Sequence, residues 1–277
     1  SLRLRPTTPP MPQQGGRRPY HLLSAAMNNR RVANADTPKS VRGVDMEPIL
    51  ETGRRARWVS EKCRTALSLA KGECGGSYGD AVLILTAALS AMAAEAWPGV
   101  IGIDRRRFIE LLVRFAPDRA LVTRVSIPVL CEELLMSGQT LELTAISKQV
   151  LEPSSLVVVG EDIDQSEELV LSTVGSIETA FLRKFSYASV LYTEVRSGYV
   201  HECHPSERAT SQPMTHKTDV AVSYSNLLIE IEDRVRRQIH FHLEWLGETA
   251  LEIARRLDEY HVGFVRPEKW WVDGGEG

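Results

Sequence analysis

Cysteine is scarce in this sequence and never paired at short spacing. The four residues Cys63, Cys74, Cys131 and Cys203 lie far apart with no Cys-x-x-Cys. That argues against a disulfide framework and points to a reduced thiol set inside the cell, hence a cytoplasmic protein. No Gly-x-Ser-x-Gly, Walker, Rossmann or His-Glu-x-x-His pattern occurs, which removes the commonest nucleophile-elbow, phosphate-loop, dinucleotide and zinc-peptidase chemistries. No segment repeats at the period of about 20–50 residues that marks a solenoid. The longest apolar run, Ala81 to Ala94, stops at Glu95. It is too short to span a bilayer and reads as a core helix, so no membrane partner is expected. Acidic residues are missing from the first 35 positions.

The charge is therefore uneven. Residues 1–60 hold 11 Lys/Arg against 4 Asp/Glu, a surplus of seven; the remainder holds 22 against 32, a deficit of ten. An acidic body does not coat nucleic acid unselectively, so any such contact has to come from a local patch. Residues 1–45 are rich in Pro, Arg, Gln, Asn and Gly and are expected to be a disordered basic extension. Arg17-Arg18 precedes an apolar stretch too short for an export signal. Residues 46–277 are expected to form one domain.

Helical spacing dominates that domain. Helices are predicted over Arg57–Lys71, over Ala81–Trp97 with Asp80 as cap and Pro98-Gly99 as stop, over Arg105–Phe115 capped by Asp104, and from Ser126 through Leu135. Ala81–Trp97 is apolar nearly all round, which implies burial at the centre of a bundle. The run Arg105-Arg106-Arg107 reads either as a phosphate patch or, more simply, as a solvated first turn. Signals weaken between Met136 and Gly175, where Leu156–Val159 fits a buried strand. A long helix follows, with Ile177, Phe181, Phe185, Ala188, Leu191, Val195 and Tyr199 on one face. Ile229 and Ile231, then Ile239, Phe241, Leu243 and Trp245, alternate with polar residues around a turn near Asp233, the pattern of a β-hairpin. His240 and His242 then share a face, most simply a solvent face opposite Glu230 and Glu232. Leu246–Tyr260 returns to helical spacing, and the tail from Pro267 is expected to be loose.

The long helix ends in Glu194-Val195-Arg196-Ser197-Gly198-Tyr199-Val200-His201-Glu202-Cys203. An Arg that never loses its proton suits a phosphate, and a His titrating near neutrality can take and give a proton. Together they suffice for cutting RNA without a metal. The imidazole relays protons between the attacking 2′-hydroxyl and the leaving oxygen, while the guanidinium stabilises charge on the phosphoryl oxygens. His201, Cys203 and His204 are grouped, but structural zinc needs four ligands and no second cluster offers the rest. No metal or cofactor is expected.

This stretch resembles the signature of the HEPN superfamily, helical domains carrying Arg-x(4–6)-His on a late helix, many of them ribonucleases of toxin–antitoxin and phage-defence systems. Arg196 and His201 match its Arg and His, and Gly198 suits the Arg-Asn-Gly variant. Ser197 stands where Asn, Asp or His is usual, and Cys203 where some toxin members place a Tyr. The resemblance implies a mainly α-helical, HEPN-like bundle, here with an inserted β-hairpin. It implies a metal-independent endoribonuclease acting as a homodimer, with an RNA substrate and an antitoxin or defence-system partner. Catalysis falls to Arg196 and His201, support to Ser197, Tyr199 and Glu202, and RNA contacts to Arg208 and Lys217. The competing expectation is a non-catalytic helical interaction module that keeps the motif for structure.

Overall fold

Ser77 opens the helix on which the others pack. Its hydroxyl accepts from the Asp80 amide (3.3 Å) while the Asp80 carboxylate accepts from the Ser77 amide (2.9 Å). Asp80, predicted as the cap, is thus the third residue of a capping box, and the helix runs Tyr78–Ala96. A computed structural model describes residues 53–99, 102–147, 156–211, 220–229, 234–260 and 264–277. The expected basic extension over residues 1–45 lies outside the described residues.

The helices preceding the motif are α1 (Arg54–Ala70), α2 (Tyr78–Ala96), α3 (Asp104–Phe115), α4 (Arg119–Val122), α5 (Ile127–Met136) and α6 (Thr140–Ser147). α2 buries Leu85, Leu89, Met92 and Ala93 against α1 and α12 (Leu243–Glu259) on one side and α3 and the motif helix on the other. Among the described residues it is the helix long and apolar enough to cross a membrane, and 56% of its apolar window is buried inside the bundle.

The strand expected over Leu156–Val159 is present as β1 (Val157–Val159). It pairs antiparallel with β2 (Val222–Ile229), which pairs antiparallel with β3 (Arg234–Phe241), giving the order β1-β2-β3. The chain is therefore mainly helical, with a small three-stranded sheet rather than a hairpin alone. The sheet stops sooner than its alternation suggested: Leu243 and Trp245 belong to α12, because His242 turns the chain into the helix. Short helices α7 (Gly160–Ile163), α8 (Glu167–Thr173) and α9 (Thr179–Leu182) cross between β1 and the motif.

Three expectations are corrected by long-range pairing. The motif helix does not start at Ile177. Ser186 is extended (ψ 154°), because the Phe185 carbonyl accepts from the Ser126 amide (2.8 Å) and the Tyr187 amide donates to the Arg124 carbonyl (2.9 Å). Helix resumes at Tyr187 with Ser186 as cap, its hydroxyl accepting from the Ser189 amide (3.2 Å). The tail is not loose either. Glu110, fully buried on α3, accepts from the Trp271 amide (2.8 Å) and from Arg114 (2.6 Å). Arg183 donates to the carbonyls of Trp271 and Gly275 and lies over the Trp271 ring, so Trp270, Trp271 and Val272 complete the core.

The third correction concerns His240 and His242, which are buried and not on a solvent face. The Tyr78 ring stacks on His240 with centroids 4.6 Å apart, and the Tyr78 hydroxyl donates to the Phe241 carbonyl (2.7 Å). The His242 Nε2 pairs with the Ser223 hydroxyl at 2.8 Å. The start of α2 covers the sheet where period-two reasoning left it open to water.

Candidate active site

The apolar residues Leu191, Val195 and Tyr199 recur at intervals of four, never three. On an α-helix of 3.6 residues per turn such a row drifts by about 40° per step and soon leaves the core. The chain absorbs the drift in a π-helical stretch, Leu191–Arg196, between α10 (Tyr187–Val190) and α11 (Ser197–Glu202). That wider turn sets Arg196 one row along from Tyr192. The guanidinium lies 5.0 Å from the Tyr192 ring centroid, and Tyr192 also meets Phe108 of α3 edge-on at 5.2 Å. The Arg196 Nε is buried with no hydrogen-bond partner, and the residue has no ion pair among the described residues.

Beyond the motif the chain folds back on its own helix. Cys203 ends α11 in the left-handed region (φ 62°), a conformation that glycine adopts more cheaply. A methyl group on Gly198 would come within 2.5 Å of the His204 carbonyl oxygen, so this position accepts glycine alone without moving the return loop. The Glu194 carbonyl, left accessible by the π-turn, accepts from the Ser206 amide (2.8 Å), and its carboxylate accepts from the Ser206 hydroxyl.

The remaining predicted site residues divide. His201 is exposed, and five residues beyond Arg196 it lies roughly 140° further round the helix axis. Within one chain the two side chains therefore do not meet. Ser197 is half-buried next to Arg196, and Glu202 is exposed, 3.9 Å from His204. Tyr199 packs its ring on Gly79 of α2, and its buried hydroxyl has no partner. Burial, and then the Asp80 carboxylate, push its phenol above the ordinary value. Arg208, expected on RNA, is held instead by Glu133 (3.0 Å), Glu132 (3.3 Å) and Glu194 (3.7 Å). It clamps the return loop to α5. Lys217 lies outside the described residues.

Sequence reasoning missed a second polar cluster. Asp164, fully buried, accepts from the Tyr187 and Tyr224 hydroxyls (2.6 and 2.7 Å) and from the Ile127 amide (2.9 Å). Burial pushes its carboxyl up to about 7 despite those donors and nearby Arg124. Every arm of this cluster is occupied, and it joins β2, α7, the start of α5 and the motif helix. Its one sequence signal was a lone acid between Ile163 and Gln165, indistinguishable from the surface acids around it.

Among the described residues no group of His, Cys, Asp and Glu is placed to hold a metal ion. Burial pushes the thiols of Cys63 and Cys131 up to about 11, which makes them inert, while Cys74 and Cys203 are exposed. Comparisons with family models, curated proteins and solved structures returned no match. The functional reading rests on the chain's own residues.

Proposed function

We propose that this protein is a metal-independent endoribonuclease of HEPN type, acting through Arg196 and His201. The observation that carries the reading is Arg196: a half-buried guanidinium on a core helix with no counter-charge among the described residues, five residues before an exposed, unengaged imidazole. An uncompensated charge of this kind costs stability unless something anionic arrives to pair with it. In the proposed reaction the 2′-hydroxyl attacks the adjacent phosphorus, its proton passing to an imidazole. The bond from phosphorus to the 5′ oxygen breaks, and that oxygen takes a proton from an imidazolium. Arg196 stabilises the charge on the non-bridging oxygens.

Base and acid must stand on opposite sides of the phosphate, and one His supplies a single side. A two-fold axis beside the motif helix supplies the second, so the proposed working unit is a homodimer. The separation of Arg196 and His201 around the helix supports this, since each can then face a residue of the other copy. The toxin or phage-defence setting, an antitoxin-like partner and a cytoplasmic location follow from the family resemblance and belong to the same proposal.

The test is cleavage of RNA in chelator. His201→Ala and Arg196→Ala are each expected to lower the rate by on the order of a hundredfold or more. Titrating the parent with His201→Ala is expected to lower activity more than in proportion, because a hybrid dimer holds one imidazole where the reaction needs two. Equal cleavage by parent and both variants overturns the reading. A second reading, a non-catalytic interaction module, is favoured by one surface: Leu135, Met136 and Leu141 are exposed together on α5 and α6. Absence of cleavage by the parent would leave that reading in possession.

A further inference from the structure

Most arginines of the described residues are compensated. Arg55, Arg106, Arg107, Arg114, Arg183 and Arg208 each pair with a carboxylate. Others, such as Arg57, Arg64 and Arg266, have no carboxylate partner among the described residues, and within that set Arg105 and Arg196 stand apart. Each has a buried Nε without a hydrogen-bond partner, and neither forms an ion pair among the described residues. The acids that could serve them are engaged: Asp104 with Arg107, Asp80 with Ser77, Glu194 with Arg208 and Ser206.

The two arginines also stand on helices that pack against each other. α3 and the motif helix run antiparallel, because α4, just past the end of α3, and α3 itself pack against α10 at the motif helix's start. Across this seam the Phe108 ring meets the Tyr192 ring. Arg105 lies one turn before Phe108 on α3, and Arg196 lies one turn after Tyr192 on the motif helix. In an antiparallel pair those two steps lead to the same end of the seam. Arg196 is folded back over Tyr192 there, its guanidinium 5.0 Å from the ring centroid.

We infer that Arg105 is a second phosphate-binding residue, forming with Arg196 a two-guanidinium cradle for an RNA phosphate. This inference rests on the ribonuclease reading for its ligand and deepens it. Two like charges, stems buried and unpaired, repel one another until an anion bridges them. A phosphodiester does so with its two non-bridging oxygens, one to each fork. Burial of both Nε atoms fixes the planes of the two forks, so the cradle is formed before the ligand binds. Arg106, next in sequence, is already paired with Asp273 at 2.7 Å and stays outside it. The run Arg105-Arg106-Arg107 thus divides: Arg106 and Arg107 hold carboxylates, and Arg105 is the member assigned to the phosphate.

The test separates binding from cleavage. Binding of a short single-stranded RNA with 2′-O-methyl groups, which cannot be cut, is followed by fluorescence anisotropy over a salt series. Arg105→Ala is expected to weaken binding about tenfold and to flatten the salt slope by about 0.7, the share of one phosphate contact. Arg105→Gln, which keeps the buried stem, carries the same expectation should the alanine variant unfold. Arg106→Ala is expected to bind as the parent does. Unchanged affinity and slope in Arg105→Gln, an equal loss in Arg106→Ala, or a parent that does not bind at low salt would each overturn the cradle. His201→Ala, measured alongside, is expected to bind normally and not cleave unmodified RNA. Full cleavage by His201→Ala would sink the ribonuclease reading while the binding data still decide the cradle.

Discussion

Two polar clusters touch the motif helix, and they differ in how fully their polar atoms are satisfied. At its start, Tyr187 shares Asp164 with Tyr224, and every donor there has an acceptor. At its far end, Arg196 and Tyr199 keep buried polar atoms without partners, and His201 stands in the open. A satisfied buried network stabilises a fold, whereas an unsatisfied one costs stability. The same helix thus carries a satisfied network at one end and unsatisfied buried polar atoms at the other.

That contrast breaks or holds on stability measurements. The largest effect is expected from Asp164→Ala, which strands the Tyr187 and Tyr224 hydroxyls and the Ile127 amide. A loss on the order of 3 kcal/mol or more in denaturant unfolding is expected. His201→Ala, at an exposed position without partners, should stay within about 0.5 kcal/mol of the parent. Comparable losses from both would erase the distinction.

A smaller and sharper effect concerns pH. The Asp164 carboxyl is raised from 3.8 to about 7 in the fold, so between those values the folded chain binds more protons than the unfolded one. Stability must then fall as pH rises from about 4 to about 7 and level off above. Asp164→Asn is expected to flatten this part of the profile while lowering it overall, since its amide nitrogen cannot accept from the donors it faces. A profile equally steep in Asp164→Asn would place the titration elsewhere. One small effect is a gain: Cys203→Gly relieves the left-handed cap and should add about 0.5–1 kcal/mol, read as a rise in melting temperature.

Local rules made the helices around the core legible. Asp80 and the apolar run after it made α2 legible, although the cap proved to be Ser77, three residues earlier, and the motif stood out because Arg, Gly and His fell at the end of a patterned helix. What stayed hidden depended on partners far away in the chain. Phe185 continues the i+4 row and so masked the break at Ser186, which exists because residues 124–126 pair across it. His240 and His242 alternate like surface residues, yet both are buried, His240 beneath Tyr78 arriving from α2. Glu110 sits among apolar neighbours as an apparent exception until the Trp271 amide reaches it. At the site, spacing named Arg196 and His201, yet Arg208 turned inward to three glutamates because α5 brings Glu132 and Glu133 beside it. Arg105 could not be told from its two neighbours, since one letter repeated three times does not say which copy lacks a partner.

The Glu110–Trp271 bond sets a timetable for biosynthesis. The carboxylate and the amide that satisfies it are 161 residues apart. At roughly 5–20 residues per second a ribosome needs on the order of ten seconds or more to travel that distance. Throughout that interval α3 carries a charge on the face that must become core, and the groove awaiting Trp270 and Trp271 stands open. A chain stalled before Trp271 is therefore the form that chaperones would grip longest and proteases would cut first.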